Sequence, residues 1–135
     1  MRVVVDTNVF VSSFFGGNSR KVIDLWKGGD ITLCLSNAIV DEYIDVLVRM
    51  ELLAEEELAE LFRLFRAGPN CLFTAKTPSL RVSADPDDDK FVETAVALEA
   101  ECVVTGDEDL LVLKQYLGIR ILKPRTFLGA YAPRR

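Results

Sequence analysis

Three consecutive valines, Val3 to Val5, precede Asp6, and such an unbroken apolar run ending in polar residues predicts a strand buried on both faces of a parallel sheet. The following SSFFGGNS, rich in small residues, predicts a loop. From about Ser19 to Lys27 the apolar residues Val22, Ile23, Leu25 and Trp26 recur at helical spacing, with Ser19 placed to cap and Gly28-Gly29 to stop. Ile31 to Leu35 predicts a second strand, after which Ser36 caps a helix over NAIVDEYIDVLVRM. A third helix runs from about Ala54 to Ala67 and ends at Gly68-Pro69. Cys71 to Phe73 predicts a short edge strand, and Thr74 to Asp87, with two prolines and no period, a long connection beside the site. Beyond it the pattern predicts a helix from about Asp88 to Ala100, a strand Cys102 to Val104, a helix from about Glu108 to Tyr116, and a strand Ile119 to Leu122. The tail TFLGAYAPRR adds at most a short turn. Strands alternating with helices at this spacing predict a three-layer α/β/α domain, a single one over residues 1–135.

Composition narrows the chemistry. Half of the 135 residues are hydrophobic and 27% are charged, so a folded chain with a sizeable core is expected. Sixteen basic residues against 21 acidic ones give a net charge of -5, which opposes passive nucleic acid binding unless cations or a local basic rim intervene. There is no histidine, which removes Ser-His-Asp and Cys-His nucleophile systems and imidazole zinc sites. Cys34, Cys71 and Cys102 lie in apolar runs and predict small core residues. The amino-terminal stretch predicts neither a signal peptide nor a membrane span, so a soluble cytoplasmic protein is expected.

The carboxylates carry the remaining signal. In a doubly wound sheet, ligands sit beyond the carboxyl ends of the strands, and Asp6 and Asp107 follow two of them. Each also fits a helix cap or turn. Glu42 shares its helix stripe with Ile39 and Val46, where an uncompensated charge is costly, whereas Asp45 and Arg49 read as a solvated pair. In DPDDDKF, Asp88 shares a face with Phe91, Val92 and Ala95 and points inward; Asp89 and Asp85 are outer candidates. Acids converging without histidine call for a hard divalent cation, Mg²⁺ or Mn²⁺. Thr7, Asn8, Ser36 and Thr105 are placed either to orient ligands or to form turns and caps. Arg81 and Lys90 flank the acidic cluster, as contacts to RNA phosphates or as solvated counter-charges.

The segments VVVDTNVFVS, SNAIVDEYIDVL, DPDDDKFVETA and VVTGDEDLL, in this order and spanning Val3 to about Phe127, closely resemble the PIN domain family, and within it the toxin components of prokaryotic toxin-antitoxin systems. The resemblance implies that Asp6, Glu42, Asp88 and Asp107 are the catalytic and metal-binding acids. Asp109 shares the fourth position, and Asp89 stands beside the third, where the branch often has asparagine. It further implies a five-stranded parallel sheet in order 3-2-1-4-5, Mg²⁺- or Mn²⁺-dependent cleavage of RNA, a homodimer built on the second and third helices, and inhibition by a small antitoxin. Two other functions fit less well. A haloacid dehalogenase-like phosphohydrolase needs a second aspartate two residues after the first, where Asn8 stands. A noncatalytic RNA-processing or protein-binding module would retain the acids for metal-dependent folding.

Overall fold

The computed structural model describes residues 1–131. Five parallel strands, β1 (Arg2–Val5), β2 (Thr32–Ser36), β3 (Cys71–Thr74), β4 (Cys102–Val104) and β6 (Ile119–Leu122), are joined at one edge by the antiparallel β5 (Gln115–Tyr116). The sheet order is β3-β2-β1-β4-β6-β5. Val3, Val4 and Val5 point alternately to the two faces and are all fully buried, so helices cover both sides. These helices are α1 (Thr7–Ser12), α2 (Gly17–Lys27), α3 (Asn37–Arg49), α4 (Glu55–Ala67), α5 (Asp89–Ala97), α6 (Glu108–Leu111) and α7 (Pro124–Tyr131). The α/β architecture and the order of the five parallel strands are those expected.

The chain leaves β1 toward β2 and β3, then returns to β4 on the other flank of β1. The carboxyl ends of β1 and β4 therefore flank the point at which the winding reverses, where such sheets hold ligands. Aromatic packing fixes the helices around this point: the Phe10 ring of α1 stacks on Tyr43 of α3 at 4.3 Å, and both touch Phe65 of α4. Tyr43 is fully buried and donates its hydroxyl proton to the Val5 carbonyl, which ties α3 to the end of β1.

Four local expectations need correction. The stretch after Asp6 is α1 followed by a 3-10 turn over Ser13–Phe15, because the Asp6 carboxylate caps the Val9 N–H at 2.8 Å and Val9, Phe10 and Val11 bury. The helix at Asp88 begins one residue later, after a 3-10 turn over Pro86–Asp88, and closes early. Glu99 takes a left-handed backbone there, and the Ala100 N–H reaches back to the Ala95 carbonyl at 2.8 Å. The helix expected to run to Tyr116 stops at Leu111. Leu117 and Gly118 both have positive φ, 48° and 83°, as in a two-residue hairpin turn that pairs β5 with β6 and adds the sixth strand. The tail forms a full helix, α7, with Phe127 fully buried.

Candidate metal centre

Asp6 is 3% exposed at the end of β1. Its Oδ1 accepts from the Val9 N–H at 2.8 Å and its Oδ2 from the Thr105 hydroxyl. Burial pushes its carboxyl above the ordinary range; the two hydrogen bonds oppose that shift and the nearby charge of Asp107 adds to it. Thr105, fully buried, also accepts from the Asp107 N–H at 3.0 Å, so one hydroxyl sets the relative position of both strand-end acids. Asp107 caps α6 through the Asp109 N–H at 2.8 Å. Asp6 and Asp107 are thus helix caps that also line one cleft.

Glu42 comes in from α3. It accepts from the Thr7 hydroxyl on one oxygen and from the Lys90 ammonium on the other. Asp88, half-buried at the start of α5, differs from the rest because its Oδ2 is sealed from solvent with no donor. Burial, followed by the charge of Asp107 and a hydrogen bond shared with it, and then the charges of Asp85 and Asp6, raises the Asp88 carboxyl to about 7.

Asp6, Glu42, Asp88 and Asp107 line one cleft of about 190 Å³, together with Thr7 and Asn8. Asp85 and Asp109 meet Asp88 on a further side, one oxygen of each of the three lying within 4.8 Å of the others. Asp89 does not join them. It is buried, and its Oδ1 accepts from the Val82 and Ser83 N–H groups at 3.2 and 2.8 Å, while Glu93, one turn on, accepts from the Leu80 N–H at 2.8 Å. Its work is to clamp the long connection that carries Asp85 and the exposed Arg81. Ser36 is likewise a joint: it caps α3 through the Ile39 N–H, and its Oγ lies 2.8 Å from Thr94 Oγ1 of α5.

Sequence reasoning passed over two contributors. Asp45 and Arg49 form an exposed pair at 3.3 Å, as the spacing implied, but they stand on the cleft wall. The signal was present, since they lie three and seven residues after Glu42 and share its helix face. The Lys90 to Glu42 pair joins residues 48 apart and leaves no local trace. Cys34 and Cys102 are buried, their thiols pushed up to about 11 and about 12 by desolvation, and Cys71 is half-buried; all three are free.

Five carboxylates line one cleft with a single guanidinium, that of Arg49, while the Lys90 ammonium is held on Glu42 and one sealed oxygen lacks a donor; the set is short of positive charge. Oxygen donors of this kind suit a hard divalent cation and give thiophilic metals no sulfur. The residues therefore fit such an ion. No helix among the described residues is long and apolar enough to cross a membrane. An uncharacterized protein of Methanocaldococcus jannaschii is 28% identical over 145 aligned positions, covering 97% of this chain and 92% of the relative. The sequence model of the PIN domain matches residues 2–109, which takes in every acid of the cleft, and the chain belongs to the PIN domain family.

Proposed function

We propose that this chain is an endoribonuclease that hydrolyses RNA phosphodiesters at a carboxylate site for Mg²⁺ or Mn²⁺. PIN domains are generally nucleases and typically use divalent metals. The observation that carries the reading is the convergence of Asp6, Glu42, Asp88 and Asp107 on one cleft at the reversal point of the sheet, with Asp88 Oδ2 bare.

Asp6, Asp88 and Asp107 would hold the ion, with Glu42 beside them and Asp85 and Asp109 adjoining. When bound, a divalent cation supplies positive charge that eases deprotonation of a water and neutralises the phosphodiester oxygens. The protein's own groups prepare for this. Thr105 holds Asp6 and Asp107 at a fixed separation, so little rearrangement is needed on binding. Burial and the charges of Asp107, Asp85 and Asp6 raise the Asp88 carboxyl to about 7, so a bound cation would favour its charged form. Arg49 on the cleft wall, Lys90 on Glu42 and Arg81 on the clamped connection offer cations to the RNA backbone and offset the net charge of -5 locally.

In the same reading the chain is the toxin of a toxin-antitoxin pair in the cytoplasm, a single catalytic domain that acts as a homodimer and is silenced by a small antitoxin. The support is the sequence resemblance and the apolar residues Val48, Met50 and Phe62 left exposed on α3, its cap and α4. A noncatalytic module has one observation in its favour: both oxygens of Asp6 and of Glu42 already have protein donors. One assay separates the two. Fluorescent single-stranded RNA and DNA are incubated with EDTA, Ca²⁺, Mg²⁺ or Mn²⁺, and RNA cleavage is expected only with Mg²⁺ or Mn²⁺, and not by Asp6→Asn. Cleavage that survives EDTA or Asp6→Asn overturns the metal mechanism, and bound Mn²⁺ without cleavage favours the module.

A further inference from the structure

The Lys90 ammonium is held on Glu42, an acid of the cleft wall, although solvent is the usual surrounding of a lysine head group. The Lys90 side chain is 18% exposed and its partner Glu42 is 32% exposed. Three helices build the contact: α5 supplies Lys90, α3 supplies Glu42, and α1 supplies the Thr7 hydroxyl on the other Glu42 oxygen. The Phe91 ring, 5.5 Å from Lys90 Nζ, adds a second restraint on the ammonium. Glu42 and Asp88 therefore stand in opposite conditions. Both Glu42 oxygens are covered by donors, one of them cationic, whereas Asp88 Oδ2 is bare.

We infer that Glu42 serves as the anchor of Lys90 and leaves the divalent ion to the aspartates, and that the anchored ammonium receives a non-bridging oxygen of the RNA phosphodiester. This rests on the nuclease reading above. A divalent ion placed on Glu42 would stand beside the ammonium, and the like charges oppose it. A phosphodiester anion is drawn to the same ammonium, and the repulsion it meets from the Glu42 carboxylate is offset by the cation between them, because a lysine with three donors can keep its carboxylate while bonding a phosphate oxygen. Glu42 is then a positioning residue and Lys90 a substrate-binding one.

The test uses full-length Lys90→Met, Lys90→Arg and Glu42→Gln proteins whose circular dichroism and melting match the unaltered chain. Mn²⁺ affinity is read by electron paramagnetic resonance titration without RNA, and KM and kcat are read on a fluorescent single-stranded RNA with Mn²⁺. Lys90→Met is expected to raise KM about tenfold with kcat little changed, the pattern of lost ground-state binding. It leaves Mn²⁺ affinity equal or higher, and Lys90→Arg restores most of the KM. Glu42→Gln is expected to raise KM as Lys90→Met does and keep Mn²⁺ affinity within about threefold, with the double variant no worse than either single one. A tenfold or larger loss of Mn²⁺ affinity in Glu42→Gln makes Glu42 a ligand and overturns the inference. An unchanged KM in Lys90→Met overturns the role of the ammonium. Should the unaltered chain bind Mn²⁺ and cleave no RNA, the nuclease reading fails and takes the substrate role of Lys90 with it, while the Mn²⁺ titration of Glu42→Gln still decides whether Glu42 is a ligand.

Discussion

Thr105 joins Asp6 to Asp107: its hydroxyl donates to the Asp6 carboxylate, across 99 residues of sequence, and accepts from the Asp107 N–H at 3.0 Å. A fully buried hydroxyl with partners on both sides is sensitive to removal. Thr105→Val preserves the shape and leaves the Asp6 oxygen and the Asp107 N–H without partners. The expected cost is about 1–3 kcal/mol of unfolding free energy, by urea titration, together with weaker Mn²⁺ binding. Unchanged Mn²⁺ affinity beside the lost stability would confine Thr105 to a folding role.

Asp88 and Asp89, adjacent in sequence, are expected to respond in opposite ways to the same substitution. Asp88→Asn removes a charge crowded by Asp85, Asp107 and Asp6, so the ion-free protein should become more stable above pH 7 while cleavage is lost. Asp89→Asn keeps an oxygen acceptor for the two backbone N–H groups but removes the charge that strengthens both bonds, and should destabilise by about 1 kcal/mol. Denaturant titrations in EDTA, paired with the RNA assay, check both. Equal effects on stability would dissolve the distinction.

Asp88 also sets a pH dependence. Its carboxyl is raised from 3.8 to about 7 in the folded chain, so between these values the folded state holds a proton that the unfolded state has released. Stability of the ion-free protein from this group is therefore greatest at the acid end and is lost as pH rises toward 7; the raised carboxyl of Asp6 acts in the same direction. Melting in EDTA from pH 5 to pH 8 should show a decline that Asp88→Asn flattens. Mn²⁺ should stabilise most at the alkaline end, where it has no proton to displace. A decline unaffected by Asp88→Asn would place the titrating group elsewhere.

Val48, Met50 and Phe62, between 38% and 52% exposed, make α3 and α4 the expected homodimer contact. Light scattering at micromolar concentration should give twice the chain mass, and Met50→Glu with Phe62→Glu should halve it. A monomer from the unaltered chain removes this contact.

The parts of the fold legible in the sequence are those set by local pattern. The runs VVV and CVV declare their strands because adjacent residues bury on opposite faces, whereas the spacing that sets Asp88 inward and Asp89 outward is not followed by the structure: Asp89 is buried, and Asp88 is half-buried in the turn before the helix. Other features depend on partners far along the chain. Asp89 is a clamp only because Val82 and Ser83 fold back onto α5, and Lys90 is paired only because α3 brings Glu42 to it. The six-residue α1 is too short to show a period and is held by its cap and by the ring of Tyr43. At Leu117 a left-handed backbone in a residue that seldom adopts one hid the hairpin turn.

The grip of Asp89 and Glu93 on the connection divides that segment into two regimes. Amide protons of Leu80, Val82 and Ser83 should exchange with deuterium as slowly as those of the helix that holds them, although they sit in irregular backbone. Upstream, around residues 75–79, an insertion is expected to leave Asp85 and Asp88 undisturbed. The surface beside the cleft can thus change in shape while the acids behind it stay in register, so the two are separable by design of the backbone.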